Sequence, residues 1–195
     1  SFDASLWPCH APDFGMSLAQ DTPRFAPCPP TLGLYAVVQD AQWVDKVVQL
    51  GVPTVQLRFK SDDPRAISQQ IAQSVKAVEG TPSLLFINDH WQQAMDAGAY
   101  GVHLGQEDMQ EASLESLRSS GLRLGLSSHG YSEMLAAYAW RPSYMALGAV
   151  FPTTLKKMQT APQGLGRLTQ YVQLMQHMPL VAIGGIDVHS LPAIM

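Results

Sequence analysis

Short apolar runs alternate with stretches of helical spacing along most of this chain. Strand-like runs fall at Leu32–Val38, Thr54–Leu57, Leu84–Ile87, Gly101–Leu104, Leu122–Leu126, Tyr144–Leu147 and Leu180–Ile183. Between them, Ala41–Leu50, Pro64–Val78, His90–Ala97, Leu114–Ser119, Tyr131–Ala139 and Leu168–His177 carry apolar residues at helical intervals, and Val188–Met195 begins another such span. Continuously apolar strands of this length belong to a parallel sheet covered by helices on both faces. Gly51, Gly98 and Gly121 each follow a helical span and precede a strand, where a glycine suits the turn. Seven strand–helix units fit either an open doubly wound sheet or a (β/α)₈ barrel that lacks its last strand and helix; periodicity leaves both standing.

Residues 1–30 break the rhythm. They hold Pro8, Pro12, Pro23, Pro27, Pro29 and Pro30 with little apolar periodicity, so they read as an irregular leader, partly disordered or wrapped on the domain. Residues 31–195 then form one α/β domain. At 195 residues and 46% hydrophobic, the chain can bury a sizeable core. A net charge of −4 argues against a nucleic-acid partner, which calls for a basic stripe. No apolar run approaches the roughly 18 residues that span a bilayer, and no secretory signal opens the chain. Cys9 and Cys28, without a CxxC or Cys/His cluster, read as free thiols of a reducing cytoplasm.

On parallel α/β folds ligands bind at the carboxyl ends of the strands, so the residues after each strand are the ones to collect. Gln56, Arg58 and Lys60 follow the second strand, Asn88 and Asp89 the third, and Gln106, Glu107 and Asp108 the fourth. Ser127, Ser128 and His129 follow the fifth, Gly148 to Lys157 the sixth, and Gly184-Gly185 the seventh. This edge mixes acids, cations, hydroxyls and glycines, which suits a polyanion held jointly by Mg²⁺ and Lys/Arg. Asp89 and Asp108, each just past a strand, are the hard oxygen ligands for the metal. Each residue also has a plainer role. Asp89 and Asp108 can cap the helices that follow, His103 can pack or hydrogen-bond in the core, and His129 can belong to a helix cap. What favours chemistry is that all of them share one edge.

The motifs Gln56-Leu-Arg-Phe-Lys60, Phe86-Ile-Asn-Asp89, Gly101-Val-His-Leu-Gly-Gln-Glu-Asp108, Gly125-Leu-Ser-Ser-His129, Val150-Phe-Pro-Thr153, Ala161-Pro-Gln-Gly-Leu165 and Val181-Ala-Ile-Gly-Gly-Ile186 resemble the thiamine-phosphate synthase family. The resemblance runs from about Leu32 to Ile186 and implies a TIM-type (β/α)₈ barrel. It also implies a transferase that joins 4-amino-2-methyl-5-(hydroxymethyl)pyrimidine diphosphate to a thiazole phosphate, giving thiamine phosphate and pyrophosphate. By the same resemblance, Gln56, Leu57, Arg58, Phe59 and Lys60, with Asn88, Ser127 and Lys156, contact the pyrimidine diphosphate. Asp89 and Asp108 bind Mg²⁺, and Thr153, Thr154, Leu155 and Gly185 hold the thiazole phosphate. Arg58, Lys60 and Lys156 are the cations that carry catalysis, because charge growing on the departing diphosphate is the main thing to offset. The attacking thiazole nitrogen carries no proton, so no general base is needed. Self-association into a homo-oligomer is common in the family.

Three departures from the family pattern stand out. Leu155 occupies a position where the family usually offers a threonine hydroxyl, which predicts weaker thiazole-phosphate binding. Phe59 replaces the more usual acid between Arg58 and Lys60. Met195 falls inside what should be the seventh barrel helix, ahead of the family's last strand. Two other readings are therefore kept: a thiazole phosphate tautomerase of the same fold, with His129 as proton shuttle, and a non-catalytic truncated barrel that binds phosphates.

Overall fold

The structure is a computed structural model that describes Phe14, residues 23–153 and residues 161–195. Seven strands appear in chain order: β1 (Tyr35–Val38), β2 (Thr54–Leu57), β3 (Leu84–Asn88), β4 (Gly101–Leu104), β5 (Arg123–Ser128), β6 (Tyr144–Leu147) and β7 (Leu180–Ala182). Every neighbouring pair is parallel, and the spatial order β1-β2-β3-β4-β5-β6-β7 is the sequence order. A doubly wound sheet would reverse its order at a switch point; this one never does, and it curls instead. The curl brings the Tyr35 hydroxyl of β1 within 2.5 Å of the Tyr144 hydroxyl of β6. The result is a nearly closed TIM-type barrel whose two edges, among the described residues, are β1 and β7.

Strand parity separates two cores. Val55, Leu57, Leu85, Ile87, Val102, Leu104, Leu124, Leu126, Met145 and Leu147 face outward and pack with the helices. Phe86, Tyr144, Ala146 and Val181 face inward with Tyr35, Leu84 and Ile183, forming the smaller cluster in the barrel lumen. Gly125, paired with Tyr144 across β5 and β6, is what lets the Tyr144 ring lie flat in the lumen: a Cβ there would overlap the ring.

The helices form where caps and apolar stripes coincide. α1 (Ala41–Gln49) starts at Asp40, whose carboxylate accepts the Trp43 N–H at 2.8 Å. α2 (Pro64–Val78) has Asp63 as its cap and Pro64 in its first turn. Among the described residues, α3 (Trp91–Asp96), α4 (Asp108–Glu111), α5 (Leu114–Ser119), α6 (Tyr131–Ala139) and α7 (Gly164–Leu174) complete the set.

The boundaries differ from the sequence reading at instructive places. β1 starts at Tyr35 rather than Leu32, because Gly33 turns the chain with φ +67°. β5 runs through Ser127 and Ser128, which pair with Ala146 and Leu147 although they looked like loop. α4 was not anticipated, and α7 begins four residues before Leu168, through a Gly-Leu-Gly stretch of poor helix propensity. In place of a helix over Val188–Met195 there is a 3₁₀ turn, Leu191–Ala193. Asp187 Oδ1 takes the N–H groups of His189 and Ser190, a cap that leads into the turn, and Pro192 stands in the first positions of that turn.

Residues 23–34 run across the amino-terminal end of the barrel. Phe25 is buried in the main core, and its N–H donates to the Arg141 carbonyl at 3.2 Å. Ser143 Oγ donates to the Ala26 carbonyl at 2.6 Å, Arg123 Nε to the Pro27 carbonyl at 3.3 Å, and Thr54 Oγ1 to the Leu32 carbonyl at 2.6 Å. This segment closes the floor and leaves the opposite end open.

Candidate active site

At the carboxyl ends of the strands lies a cavity of about 790 Å³. Gln56, Arg58, Lys60, Asn88, Asp89, Asp108, Ser127 and Thr153 line it, which brings together eight of the residues singled out in the sequence. Leu57, Phe59 and Gly185 are not in the lining. The Leu57 side chain is buried outward in the helix-facing core, and Phe59 packs against that same core. Gly185, with φ +66°, sits against the Pro152 carbonyl and Phe151, where a side chain would not fit. Thr154, Leu155 and Lys156 lie outside the described residues.

Charge concentrates at one side of the mouth. Lys60 Nζ donates to Asp89 Oδ2 at 2.6 Å, joining the segment after β2 to the segment after β3. His90 Nε2 donates to the Phe59 carbonyl at 3.1 Å and ties the same two segments again. Asp89 has φ +62°, a left-handed conformation that costs a non-glycine residue energy and that often marks functional sites. Its backbone is held there by an N–H bond to the His103 carbonyl at 3.1 Å and by the Trp91 N–H at 2.8 Å. The capping role is not what Asp89 does: His90 is the N-cap of α3, and the Asp89 carboxylate goes to Lys60. Asp108 opens α4, with Oδ2 accepting the Gly105 N–H at 3.1 Å, while Ser113 caps α5.

The two carboxyls titrate in opposite directions. Burial raises Asp89, but the Lys60 hydrogen bond and charge, with help from Asp108 and His90, outweigh it and hold Asp89 below the usual carboxylate range. Asp108 is raised, first by burial and then by the charge and hydrogen bond of Asp89. The two carboxyls are thus coupled at the cavity rim, and the charge of Asp89 is one of the causes that raise Asp108. A divalent cation between them would offset that like-charge repulsion and take oxygen donors from both, so the pair fits a hard metal. Among the described residues no group of three or more His, Cys, Asp or Glu is placed to hold a metal.

The lumen below the charges holds a polar chain that the sequence reading missed. Gln56 Nε2 donates to the Tyr35 hydroxyl at 2.9 Å, and Tyr35 meets Tyr144 at 2.5 Å. Tyr144 meets His103 Nδ1 at 2.7 Å, and His103 Nε2 meets Ser127 Oγ at 2.8 Å. Gln106 Nε2 donates to the Ser127 carbonyl at 2.7 Å, steadying that end. Tyr35 and Tyr144 look like ordinary strand aromatics; the available signal was parity, since Tyr35 and Gln56 fall on lumen-facing positions and Gly125 lies opposite Tyr144. His103 does bond within the core, as its plainer reading held. His129 also keeps its plainer role: its N–H and Nδ1 both contact Glu133 Oε2, at 2.8 and 2.7 Å, at the start of α6.

Comparison with known proteins agrees with this geometry. The family model described as thiamine monophosphate synthase matches residues 34–195. The thiamine-phosphate synthase of Neisseria meningitidis serogroup A is 50% identical over 171 residues, covering 88% of this chain and 83% of the relative. That of an Enterobacter species is 46% identical over 173 residues, covering 89% and 82%. Among solved structures, thiamine phosphate pyrophosphorylase from Pyrococcus furiosus superposes with a TM-score of 0.71 at 26% identity, covering 82% of this chain and 78% of that one.

Proposed function

Because this chain belongs to the thiamine monophosphate synthase family, we propose how its own residues carry out that family's reaction. The protein is a thiamine-phosphate synthase, a transferase that couples the aminopyrimidine diphosphate to the thiazole phosphate and releases pyrophosphate. Its substrates are small molecules. The observation that carries the site assignment is the meeting of Lys60, Asp89 and Asp108 at the rim of a cavity also lined by Arg58, Gln56 and Ser127.

The pyrimidine's exocyclic methylene bears a good leaving group, and the electron-rich ring can spread positive charge as the carbon–oxygen bond breaks. Pyrophosphate then departs ahead of attack by the thiazole nitrogen. Arg58 and Lys60, with Lys156, stabilise the negative charge that grows on the leaving group. Asp89 and Asp108 would hold Mg²⁺, which would supply positive charge to offset that on the departing diphosphate. Asn88, on the last position of β3 and 8% exposed, and Gln56 line the lumen where the pyrimidine ring sits. The cavity walls align the two rings, so that the nitrogen meets the carbon without a diffusional search. Thr153 lines the cavity, and by the family resemblance it takes the thiazole phosphate together with Gly185, Thr154 and Leu155.

The relatives and the solved structure are named as synthases or pyrophosphorylases, which does not favour the tautomerase reading; His129, paired with Glu133, lines the cavity wall. Among the described residues no helix is long and apolar enough to cross a membrane. The cytoplasmic location rests on the biosynthetic reaction for which its relatives are named.

The test is pyrophosphate release with both substrates and Mg²⁺, comparing the protein with an Asp89→Ala, Asp108→Ala double variant. Thiazole-dependent release that disappears in the variant is the expected result. Equal release from both proteins would remove the two aspartates from the site.

A further inference from the structure

The polar chain in the lumen connects two cavity-lining groups on opposite sides of the barrel, Gln56 of β2 and Ser127 of β5. One order of protons uses every link and leaves no phenol proton without an acceptor in the chain. Gln56 Nε2 can only donate, so the Tyr35 oxygen accepts from it. Tyr35 has one proton to give, and the Tyr144 oxygen is 2.5 Å away. Tyr144 then gives its own proton to His103 Nδ1 at 2.7 Å. An imidazole that accepts at Nδ1 carries its proton on Nε2, and that proton goes to Ser127 Oγ at 2.8 Å. Burial raises both phenols, so neither tyrosine loses the proton that sets this order.

Two groups are left for a ligand. With one amide N–H given to Tyr35, the amide of Gln56 is turned so that Oε1 remains as an acceptor. With its oxygen already accepting from His103, Ser127 presents its O–H as a donor. Were the order reversed, Gln56 would have to flip and Ser127 would point its proton at His103, and both walls would change sign. The order is therefore a readable property of the free protein.

We propose that Tyr35, Tyr144 and His103 are positioning residues that fix Gln56 as an acceptor and Ser127 as a donor, and so select a heteroaromatic ring bearing an amine on one edge and a bare ring nitrogen on another. The ring identity rests on the synthase reading; the direction of the chain does not. A 4-oxo pyrimidine, with an acceptor where the amine was, meets the Gln56 oxygen with like polarity and is rejected. Sites built to hydrogen-bond a substrate group discriminate strongly in this way, because mismatched buried groups go unpaired.

Two measurements test this. In the free protein labelled with ¹⁵N-histidine, the His103 ring is expected to be protonated at Nε2 and bare at Nδ1, and to lose that single tautomer in Tyr144→Phe. Steady-state pyrophosphate release is then compared for the 4-amino and 4-oxo pyrimidine diphosphates in the wild type, Tyr144→Phe and Tyr35→Phe, with thermal melts to show that each folds. The expected result is a fall in the amino-over-oxo kcat/KM ratio of roughly tenfold or more, mainly through the KM of the amino substrate, with the KM for thiazole phosphate unchanged. A proton on Nδ1 in the wild type overturns the proposal, as does an unchanged ratio with both substrates slowed alike. Absence of release from the wild type would count against the synthase reading instead, while the tautomer still decides the direction of the chain.

Discussion

Lys60 Nζ sits 2.6 Å from Asp89 Oδ2, and this one contact joins two βα loops at the cavity rim. It does so with Asp89 in a left-handed backbone conformation and with its charge acting on Asp108 beside it. The cation therefore neutralises a carboxylate in the free protein that is assigned to metal when substrate is bound.

Removing either carboxylate should weaken Mg²⁺ activation. Asp89→Asn and Asp108→Asn are each expected to lower kcat/KM about a hundredfold at limiting metal, with partial recovery as Mg²⁺ is raised. A Mg²⁺ titration of pyrophosphate release checks this, and superimposable titration curves for wild type and variants would sink it.

The opposed carboxyl shifts have opposed consequences for stability. Asp89, lowered, stabilises the fold above the unfolded carboxylate pKa, and that contribution is lost as pH falls through its folded value. Asp108, raised, favours the fold below the unfolded value, and that contribution is lost as pH rises through its folded value. Without metal, Asp108→Asn should therefore melt higher than wild type at neutral pH and at the same temperature once both carboxyls are protonated. Melting curves between about pH 3 and pH 7 cover the window; a destabilised variant at neutral pH would contradict it.

Adjacent residues on β2 should fail in different ways. Leu57→Ala empties a fully buried outward position and should cost about 2–5 kcal/mol of stability. Gln56→Ala alters the lumen and should chiefly raise the KM for the pyrimidine diphosphate, by about tenfold. Urea unfolding and steady-state kinetics on the same two proteins separate the effects.

Gly125→Ala would push a methyl group into the Tyr144 ring. A cost of about 1–3 kcal/mol is expected, together with disturbance of the His103 tautomer. An unfolding midpoint equal to wild type would show that the ring has room to move.

Leu155→Thr restores a hydroxyl where the family resemblance expects one. The KM for thiazole phosphate should fall while the KM for the pyrimidine diphosphate stays put. No change would mean that other donors already suffice.

Much of the site was legible because its charged members follow strands. Arg58, Lys60, Asn88, Asp89 and Asp108 could be collected from strand ends alone, and all five line the cavity. Periodicity did not separate barrel from open sheet, since both are built from the same βα units; strand order in space makes that distinction. Tyr35, Tyr144 and the bonding of His103 were hidden because an aromatic residue in a buried strand looks apolar until its hydroxyl has a partner across the lumen. Ser127 looked like loop for the converse reason: a polar residue at a strand end that faces the lumen breaks the apolar run. α4 is a single turn set by Asp108, too short to carry a periodic signal.

The closed floor has a consequence for how the chain assembles. Each strand of the sheet pairs with its sequence neighbour, so the barrel can grow by successive, largely local additions. The Ser143–Ala26 bond spans 117 residues and the Arg123–Pro27 bond 96, so neither can form before β5 and β6 exist. Residues 23–34 thus act as a late-fastening latch, with the loop-closure entropy of long separations still to be overcome when the rest is in place. Amide hydrogens at Phe25 and its neighbours should be among the first to exchange, opening the barrel from below while the catalytic end stays intact.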